Sequence, residues 1–315
     1  MERFNTLINL PKAARGASVA IGNFDGVHLG HQAVIETARR AGGPLGVLTF
    51  EPHPRAYFSD LRGAAQPSFR LMNADARAHR LAKLGVDLLF EAPFDAALAA
   101  LTPEAFVNGM LADQIGAQHV VVGQDFCFGK DRAGTTDMLR DLCAARRINV
   151  TLAEMVSAGT IEVSSTNIRQ ALSDGKPGEA ARMLGHWHRI EGPVIHGEKR
   201  GRTLGYPTAN MSIAGLHPPA FGVYAVMVDV LDGPNAGSYH GAASIGVRPM
   251  FGVNTANCET YIFDFTGDLY GATVSVGLVE YLRGEQKFDG LEALTAQMAA
   301  DCDQARSILA QIDAR

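Results

Sequence analysis

The first half of the chain alternates between short apolar runs and segments with apolar residues at helical spacing. The runs ASVAIGN, PLGVLTF and VDLLFEA are almost continuously apolar, which is typical of strands that are buried on both faces. The runs AQHVVVGQDF and INVTLAEMV follow the same pattern further along the chain. We therefore predict five strands in this half.

Helices are predicted between these strands. One runs from about Gly30 to Arg40, and TPEAFVNGMLADQIG has Pro103 at its first helical position and Gly116 at its end. Strands that alternate with helices predict an α/β doubly wound parallel sheet, in which ligands bind at the carboxyl ends of the strands. Two further helices are predicted at NADARAHRLAKLG and TTDMLRDLCAARR.

The pattern changes after about Leu184. Strand-like segments separated by Gly, Pro, Asn and Asp now follow one another, which predicts a small antiparallel β-barrel. We place the boundary so that residues 1–185 form one domain and residues 186–315 the other. The final segment predicts one amphipathic C-terminal helix packed on the barrel, with apolar residues at Phe288, Leu291, Leu294, Met298, Cys302, Ala305, Ile308, Leu309 and Ile312.

Composition and charge narrow the class of protein. The chain has 315 residues, 47% of them hydrophobic, so it can bury a core in each of two domains. Its formal net charge of -5 gives no basic field for nucleic acid or an anionic membrane. The sequence shows no apolar run long enough for a transmembrane helix or a signal peptide. We expect a cytoplasmic protein with small-molecule substrates and no nucleic-acid or membrane partner. These expectations are compatible with a homo-oligomer.

The four cysteines lie far apart in the sequence and share no C-x-x-C spacing. Free thiols in a reducing cytoplasm are the simplest interpretation of that pattern.

Two histidines stand where the first strand turns into the first helix. His28 and His31 flank Gly30 in GNFDGVHLGHQ. A helix N-terminus offers free N–H groups and a positive dipole end, and glycine lets a phosphate approach the backbone. The arrangement suits adenylyl transfer, which needs positioned donors more than a covalent nucleophile. Two alternatives stay open here: a pair of zinc ligands, or a helix cap without chemistry.

Three further segments of the first half carry candidate residues. Ser165, Thr166 and Arg169 open a predicted helix in VSSTNIRQAL, where hydroxyls and a guanidinium could hold phosphates, although a plain capped helix is the alternative. GQDFCFGK does not match a P-loop, and its Asp125 follows a strand toward the edge that carries the histidines. The segment FEPHPR offers His53 and Arg55 between prolines, with a rigid turn as the alternative.

The second half contains a glycine-rich basic stretch followed by PTAN. Glycines at four-residue intervals let backbone N–H groups reach phosphates, although a solvated basic turn is the alternative. Thr208 and Asn210 alternate in the predicted strand, so both face one side, where a hydroxyl and an amide oxygen suit Mg²⁺; a strand-end turn is the alternative. The residues of the basic stretch are Gly197, Lys199, Arg200, Gly201, Arg202 and Gly205.

A kinase that phosphorylates an alcohol needs a base near that alcohol. Glu259 shares a predicted strand face with Tyr261 and Phe263, which places an acid beside ring-sized apolar groups. An ordinary edge-strand glutamate is the alternative.

Taken together, these motifs resemble one family in order and spacing. GNFDGVHLGHQ, LTFEPHPR, VVVGQDFCFGK, VSSTNIRQAL, GPVIHGEKRGRTLGYPTAN, GVYAV, IGVRPMFG, ETYIFDF and LYG are similar to successive motifs of the bacterial bifunctional riboflavin kinase/FAD synthetase family. The resemblance covers nearly the whole chain. It implies phosphorylation of riboflavin to FMN by the barrel and adenylylation of FMN to FAD by the first domain, with ATP as co-substrate and Mg²⁺ as cofactor.

The resemblance also implies roles for individual residues. His28, His31 and Glu259 would be catalytic, while Thr208 and Asn210 would hold the metal. Met250 departs from the family pattern, in which we expect threonine, and lies in a predicted loop near the kinase site. ATP for adenylylation would contact Gly22, Asn23, Phe24, Gly30, Asp125, Ser165, Thr166 and Arg169; His53 and Arg55 would flank the flavin phosphate; ATP for the kinase would contact Gly197, Lys199, Gly201, Arg202 and Gly205; and the kinase flavin would contact Tyr261, Arg283 and Phe288.

Two other functions fit the sequence less well. A nucleotidyltransferase of other specificity would not need the attached PTAN barrel, and a non-catalytic flavin sensor would not need the candidate catalytic residues.

Overall fold

A computed structural model describes the chain except for residues 64–67, 155, 159–160, 198–200, 202–203, 251–252 and 315. Side chains at 158, 161, 248–250 and 253–255 are also outside the described part. The chain divides into two compact units. The first comprises residues 1–66 and 77–163, and the second comprises residues 67–76 and 164–315. No described helix is long and apolar enough to cross a membrane.

The first unit contains a parallel sheet of six described strands in the order β1-β4-β3-β2-β5-β6. The predicted parallel sheet is confirmed, and β2 lies inside it because its four residues are buried. The edge strand β1 was not predicted because it has only three residues. The strands are β1 (Glu2–Phe4), β2 (Ser18–Ile21), β3 (Leu45–Glu51), β4 (Leu88–Pro93), β5 (His119–Gly123) and β6 (Asn149–Ala153), with a hairpin of β7 (Ser157–Ala158) and β8 (Ile161–Glu162) after them.

Helices connect these strands, as the sequence predicts. The helix predicted at 102–116 is confirmed in position, but only its first turn is α-helical and the remainder, Phe106–Ile115, is a π-helix. The interpretation of FEPHPR as a turn is wrong in its second half, because a helix begins at Pro54. The helices are α1 (Leu29–Arg40), α2 (Pro54–Leu61), α3 (Ala74–Lys83), α4 (Ala96–Ala99), α5 (Pro103–Ala105) and α6 (Thr136–Ala145), with 3-10 turns at Lys12–Ala14 and Lys130–Arg132.

The second unit contains the predicted antiparallel barrel. Its described strands are ordered β10-β13-β12-β11-β14-β9. The N–H of Ile195 donates to the carbonyl of Asn210 at 2.9 Å, and this bridge joins the two edge strands. The strands are β9 (His188–Pro193), β10 (Thr208–Ser212), β11 (Gly222–Val230), β12 (Gly237–Met250), β13 (Val253–Ile262) and β14 (Thr273–Gly284). Met250 therefore lies at the end of a strand and not in the predicted loop.

Among the described residues, three helices accompany the barrel: α7 (Ser165–Ser173), α8 (Pro177–Leu184) and α9 (Leu291–Asp313). The predicted packing of the last helix on the barrel is confirmed, because Ala305 and Leu309 are fully buried in one cluster with Ala225 and Phe263. Phe288 precedes this helix instead of belonging to it. The small residues at the contact let the helix lie close to the outer face of the sheet.

A buried ion network stabilises the first unit. The Arg77 side chain is 1% exposed and donates from Nη2 to Glu91 Oε1 at 2.6 Å and to Glu51 Oε2 at 3.0 Å. Arg3 also pairs with Glu91. Two carboxylates on the adjacent strands β3 and β4 thus share the Arg77 cation. The Glu91 side chain is buried, where an uncompensated charge is costly, whereas the Glu51 side chain is partly exposed.

We expect Arg77→Met to lower the free energy of unfolding of the first unit by about 3 kcal/mol, because it removes the buried cation from the buried Glu91 carboxylate and leaves it only the partly exposed Arg3. Denaturant unfolding followed by a probe in that unit measures the change. Arg140→Met is the matched control, since the Arg140–Asp137 pair is exposed and its loss should cost under about 1 kcal/mol. Equal stabilities of the two variants would contradict this account of the network.

Candidate active sites

A strained loop joins β2 to α1. Phe24, Gly26 and Val27 have φ of +50°, +87° and +43°, and a β-branched residue such as Val27 rarely adopts this conformation. The loop is held by the Thr49 hydroxyl, which donates to the Asn23 carbonyl at 3.2 Å, and by the Gln32 amide, which donates to the Val27 carbonyl at 2.9 Å. Strain of this kind concentrates at functional sites, so the loop supports a functional interpretation of the histidines.

His28 is the N-cap of α1. Its Nδ1 accepts a hydrogen bond from the His31 backbone N–H at 3.3 Å. A Cβ on residue 30 would lie 3.2 Å from ring atoms of His28. Gly30 therefore makes room for the imidazole over the helix start. The helix cap and the candidate catalytic group are thus one side chain, so these two interpretations do not exclude each other.

The His31 ring stacks on the His28 ring, with centroids 3.6 Å apart, and lies 5.1 Å from the Phe24 ring. Burial, and then the proximity of His28, hold the pKa of His31 well below its usual value. Its Nδ1 is buried and has no hydrogen-bond partner among the described residues. Because a buried N–H without an acceptor is rarer than a bare lone pair, we assign the His31 proton to Nε2.

His28 has the same tautomer when neutral, since its Nδ1 accepts a bond and its proton must then be on Nε2. When neutral, both rings of the pair at the helix start therefore carry their proton on Nε2. The zinc alternative has no support in the described part of the chain, where no group of three or more His, Cys, Asp or Glu residues could hold a metal ion.

The carboxyl ends of β2, β3 and β5 lie at one edge of the sheet, as their parallel pairing requires. Asp125 is exposed just beyond β5. His53 caps α2 just beyond β3, where its Nδ1 accepts from the Arg55 N–H at 3.0 Å. The same edge therefore carries two helix starts, each capped by a histidine, as well as a carboxylate.

An aromatic cluster that was not predicted lies beside the second cap. Tyr57, Phe58 and Phe94 contact one another edge-on with centroids 5.3 to 5.7 Å apart, and Phe50 adjoins Phe94. Phe58 is 40% exposed. Its sequence signal is the aromatic pair Tyr57–Phe58, but the direction of these two rings depends on α2 being a helix.

Ser165, Thr166 and Arg169 lie in the first turns of α7, as predicted. The helix is capped by the Ser164 hydroxyl, which accepts from the Asn167 N–H at 3.2 Å. The Arg169 guanidinium donates to the Thr166 hydroxyl at 3.4 Å and to the Phe69 carbonyl at 3.3 Å. These contacts keep the guanidinium beside the helix start.

The barrel brings the other candidate catalytic residues together. Asn210 on β10 is paired directly with Glu259 on β13, and Thr208 is paired with Tyr261. Directly paired residues point to the same face with Cβ atoms about 5 Å apart, and alternate residues share that face. Glu259 thus lies beside the predicted metal ligands, on a strand inside the sheet rather than at its edge.

The Asn210 amide nitrogen donates to the carbonyl and hydroxyl oxygens of Thr208, at 3.0 and 3.3 Å. These contacts leave the amide oxygen for another partner. A Cβ on Gly197 would lie 2.7 Å from the Asn210 amide, so only glycine lets the chain pass so close. Gly201 and Gly205 are among the described residues, whereas Lys199, Arg200 and Arg202 are not.

One of the predicted flavin-binding residues, Tyr261, lies on the same strand face as Glu259. Tyr261 contacts the rings of Tyr206 and Phe263 edge-on, at 5.1 and 5.8 Å. Arg283 lies 5.7 Å from the Phe288 ring, but its guanidinium forms a paired contact with Asp301 of α9, at 2.7 and 2.9 Å. The charge of Arg283 is therefore engaged within the protein.

Comparisons with known proteins agree on one family. A model described as FAD synthetase matches residues 10–167, and one described as riboflavin kinase matches residues 184–309. Bifunctional riboflavin kinase/FMN adenylyltransferases from Pseudomonas fluorescens and Listeria monocytogenes are 40% and 39% identical to this chain. The first alignment covers 98% of both proteins, and the second covers 94% of this chain and 93% of the relative.

A solved Streptococcus pneumoniae structure named macrolide-efflux protein is 32% identical, with a TM-score of 0.78 over 95% of this chain and 96% of that one. That name describes transport, whereas the family models and the curated relatives describe flavin nucleotide synthesis.

We expect His31 to stay neutral as the pH falls through 6.5, because burial disfavours its charged form. The unfolded chain binds that proton and the folded chain does not, so the contribution of His31 to stability is present above pH 6.5 and is lost below it. Ring ¹⁵N chemical shifts measure the titration, with the urea-unfolded protein as control. A native His31 that titrates near 6.5 would refute the assignment.

Proposed function

Because this chain belongs to the bifunctional riboflavin kinase/FMN adenylyltransferase family, we propose that its two activities reside on the two groups of side chains described above. The chain phosphorylates riboflavin with ATP to give FMN, and it adenylylates FMN with a second ATP to give FAD and pyrophosphate. Residues 1–185 would carry the adenylyl transfer and residues 186–315 the kinase reaction. The separate family matches at 10–167 and 184–309 support this division.

In adenylyl transfer, a phosphate oxygen of FMN attacks the α-phosphorus of ATP and pyrophosphate leaves. Negative charge builds on the phosphate oxygens as the bonds exchange. We infer that His28 and His31 meet this charge as donors fixed at Nε2. Their stacking at the start of α1 supports the proposal, because preorganised donors need no rearrangement when the charge develops.

The other residues of this reaction bind its substrates. Gly22, Asn23, Phe24, Gly30 and Asp125 would contact ATP, and Ser165, Thr166 and Arg169 would hold its phosphates. His53 and Arg55 would flank the phosphate of FMN. The adjoining cluster of Tyr57, Phe58 and Phe94 offers an aromatic surface of suitable chemistry for the isoalloxazine ring.

In the kinase reaction, the 5′-hydroxyl of riboflavin attacks the γ-phosphorus of ATP and ADP leaves. Glu259 would take the hydroxyl proton, and Tyr261 and Phe288 would contact the flavin. The direct pairing of Asn210 with Glu259 supports this proposal, because it brings the proposed base next to a predicted metal ligand. Arg283 would act through its pair with Asp301, by fixing the end of β14 against α9.

The residues at the barrel fit a magnesium ion. Thr208 and Asn210 offer neutral hard oxygen atoms on one strand face, and Mg²⁺ usually takes one or two protein ligands while phosphates and water supply the rest. When bound, the ion would offset the charge of the ATP phosphates. The backbone at Gly197, Gly201 and Gly205, with Lys199 and Arg202, would contact those phosphates.

We also infer a cytoplasmic protein without nucleic-acid or membrane partners. A homo-oligomer is compatible with this inference. Four cysteines that are free in the structure and the net charge of -5 support this inference.

We expect His28→Ala to lower FAD formation from supplied FMN by about a hundredfold or more, by analogy with the loss of one preorganised donor. FMN formation from riboflavin should be unchanged. Chromatography of the flavins after incubation with MgATP measures both rates. His79→Ala is the control, since His79 is an exposed histidine of the same unit. Loss of both activities in a folded variant would show that the sites are not separate.

We expect the reverse pattern for Glu259→Gln, which keeps the size of the side chain but cannot accept the proton. FMN formation should fall by about a hundredfold or more, as expected for loss of a general base. FAD formation from supplied FMN should persist. Glu280→Gln, at an exposed barrel glutamate, is the control. Normal FMN formation by Glu259→Gln would exclude Glu259 as the base.

A further inference from the structure

Strand β3 holds the start of the strained loop that leads to His28. The Gly22 N–H donates to the Leu48 carbonyl at 3.1 Å, which extends the pairing of β2 with β3 by one residue. The next residue of β3, Thr49, is fully buried, and its hydroxyl donates to the Asn23 carbonyl at 3.2 Å. The hydroxyl therefore continues the contact between β3 and the loop beyond the point where the backbone pairing ends.

The Asn23 carbonyl belongs to the peptide group that precedes Phe24. The φ angle of Phe24 describes the rotation between that peptide group and the Phe24 Cα, and its value of +50° is one that a phenylalanine rarely adopts. A rotation of the peptide group towards an ordinary negative φ would turn the carbonyl away from Thr49. The hydrogen bond therefore opposes relaxation of the strained conformation.

The strained conformation places the Phe24 ring beside the histidine pair. The ring is fully buried, and a Cβ on Gly22 would lie 3.4 Å from it. Its centroid is 5.1 Å from that of the His31 ring, which in turn stacks on the His28 ring with centroids 3.6 Å apart. A chain of contacts thus runs from the Thr49 hydroxyl to both imidazoles, and all of its members lie in the first unit.

The other end of the loop has supports that do not involve Thr49. The Val27 N–H donates to the Phe24 carbonyl at 3.2 Å, and the Gln32 side-chain amide donates to the Val27 carbonyl at 2.9 Å. The His28 ring is also the cap of α1. Loss of the Thr49 hydroxyl should therefore shift the Phe24 ring and loosen the histidine stack without unfolding the helix start.

We propose that Thr49 is a positioning residue for adenylyl transfer. Its hydroxyl acts through the peptide group and the ring of Phe24, and it keeps the imidazoles of His28 and His31 stacked in the geometry in which they act. The inference rests on the proposed role of these histidines as donors to the reacting phosphates. Because a misplacement of about 1 Å can cost about a hundredfold in rate, a buried hydroxyl at the end of this chain of contacts can set the rate of FAD formation.

The first test compares Thr49→Val, which keeps the shape of the side chain and removes the hydroxyl, with Thr49→Ser, which keeps the hydroxyl. With supplied FMN and saturating ATP, Thr49→Val should lower kcat for FAD formation about five- to tenfold, as expected for one lost hydrogen bond. Thr49→Ser should keep at least about half of the parent kcat. Riboflavin phosphorylation should stay within about twofold of the parent in both variants.

A second measurement follows the histidine stack without any substrate. Nuclear Overhauser contacts between the ring protons of His28 and His31 are expected in the parent protein, whose ring centroids are 3.6 Å apart. These contacts should persist in Thr49→Ser and weaken in Thr49→Val. A hydroxyl that only stabilised the fold would lower the melting temperature and leave the contacts between the rings unchanged.

Thr37→Val is the matched control. Thr37 lies on the same helix as His31, and its hydroxyl also donates to a backbone carbonyl, that of Ala33 at 2.8 Å. Its removal should leave kcat for FAD formation within about twofold of the parent, because the bond does not reach the loop. If Thr49→Val does not fold, Thr49→Ala replaces it in the comparison with Thr49→Ser, since alanine and serine differ only in the hydroxyl.

An unchanged kcat in Thr49→Val, an equal loss in Thr49→Ser or Thr37→Val, equal loss of both activities, or unaltered contacts between the histidine rings would each overturn the inference. The role of the histidines themselves is read from His28→Ala. If His28→Ala leaves FAD formation unchanged, that part of the proposed function fails. If His28→Ala lowers FAD formation and Thr49→Val does not, only the positioning role of Thr49 fails.

Discussion

Hydrogen bonding between neighbouring strands sets the position of the candidate catalytic groups in both units. In the barrel, the register of β10 with β13 pairs Asn210 with Glu259. A slip of one residue would turn Glu259 to the opposite face and bury a carboxylate among the apolar side chains of the barrel core. In the parallel sheet, the shared strand direction brings the ends of β2, β3 and β5 to one edge. The chemistry of each unit depends on this backbone pairing.

The candidate phosphate sites of the two units are built from different local structures. The parallel sheet offers helix starts, and a histidine caps each of α1 and α2. At the first of them, burial lowers the pKa of His31, so in the proposed reaction it would contribute an N–H donor rather than a charge. The barrel offers a strand face, where glycine at 197 lets the chain lie against Asn210. In the function that we propose, one site would rely on neutral donors and the other on oxygen ligands beside a carboxylate.

Part of the candidate site could not be found from sequence. The helical propensity of the residues that follow FEPHPR was too weak to predict that α2 begins at Pro54. The aromatic face that this helix presents was therefore missed. Arg283 was assigned to the flavin because it stands in a motif, yet its guanidinium is paired with Asp301, which is 18 residues away in sequence. Such pairings between distant segments have no local signal.

The sequence by itself determined which segments form strands and helices in most of the chain, the parallel and antiparallel classes of the two sheets, and the residue types available for chemistry. Those properties depend on local periodicity, caps and composition. Only the tertiary structure decided which side chains meet. The stacking of His28 on His31, the pairing of Asn210 with Glu259 and the contact of the His217 ring with the Arg169 carbonyl arise from packing and register, which fix distances that one-dimensional spacing cannot encode.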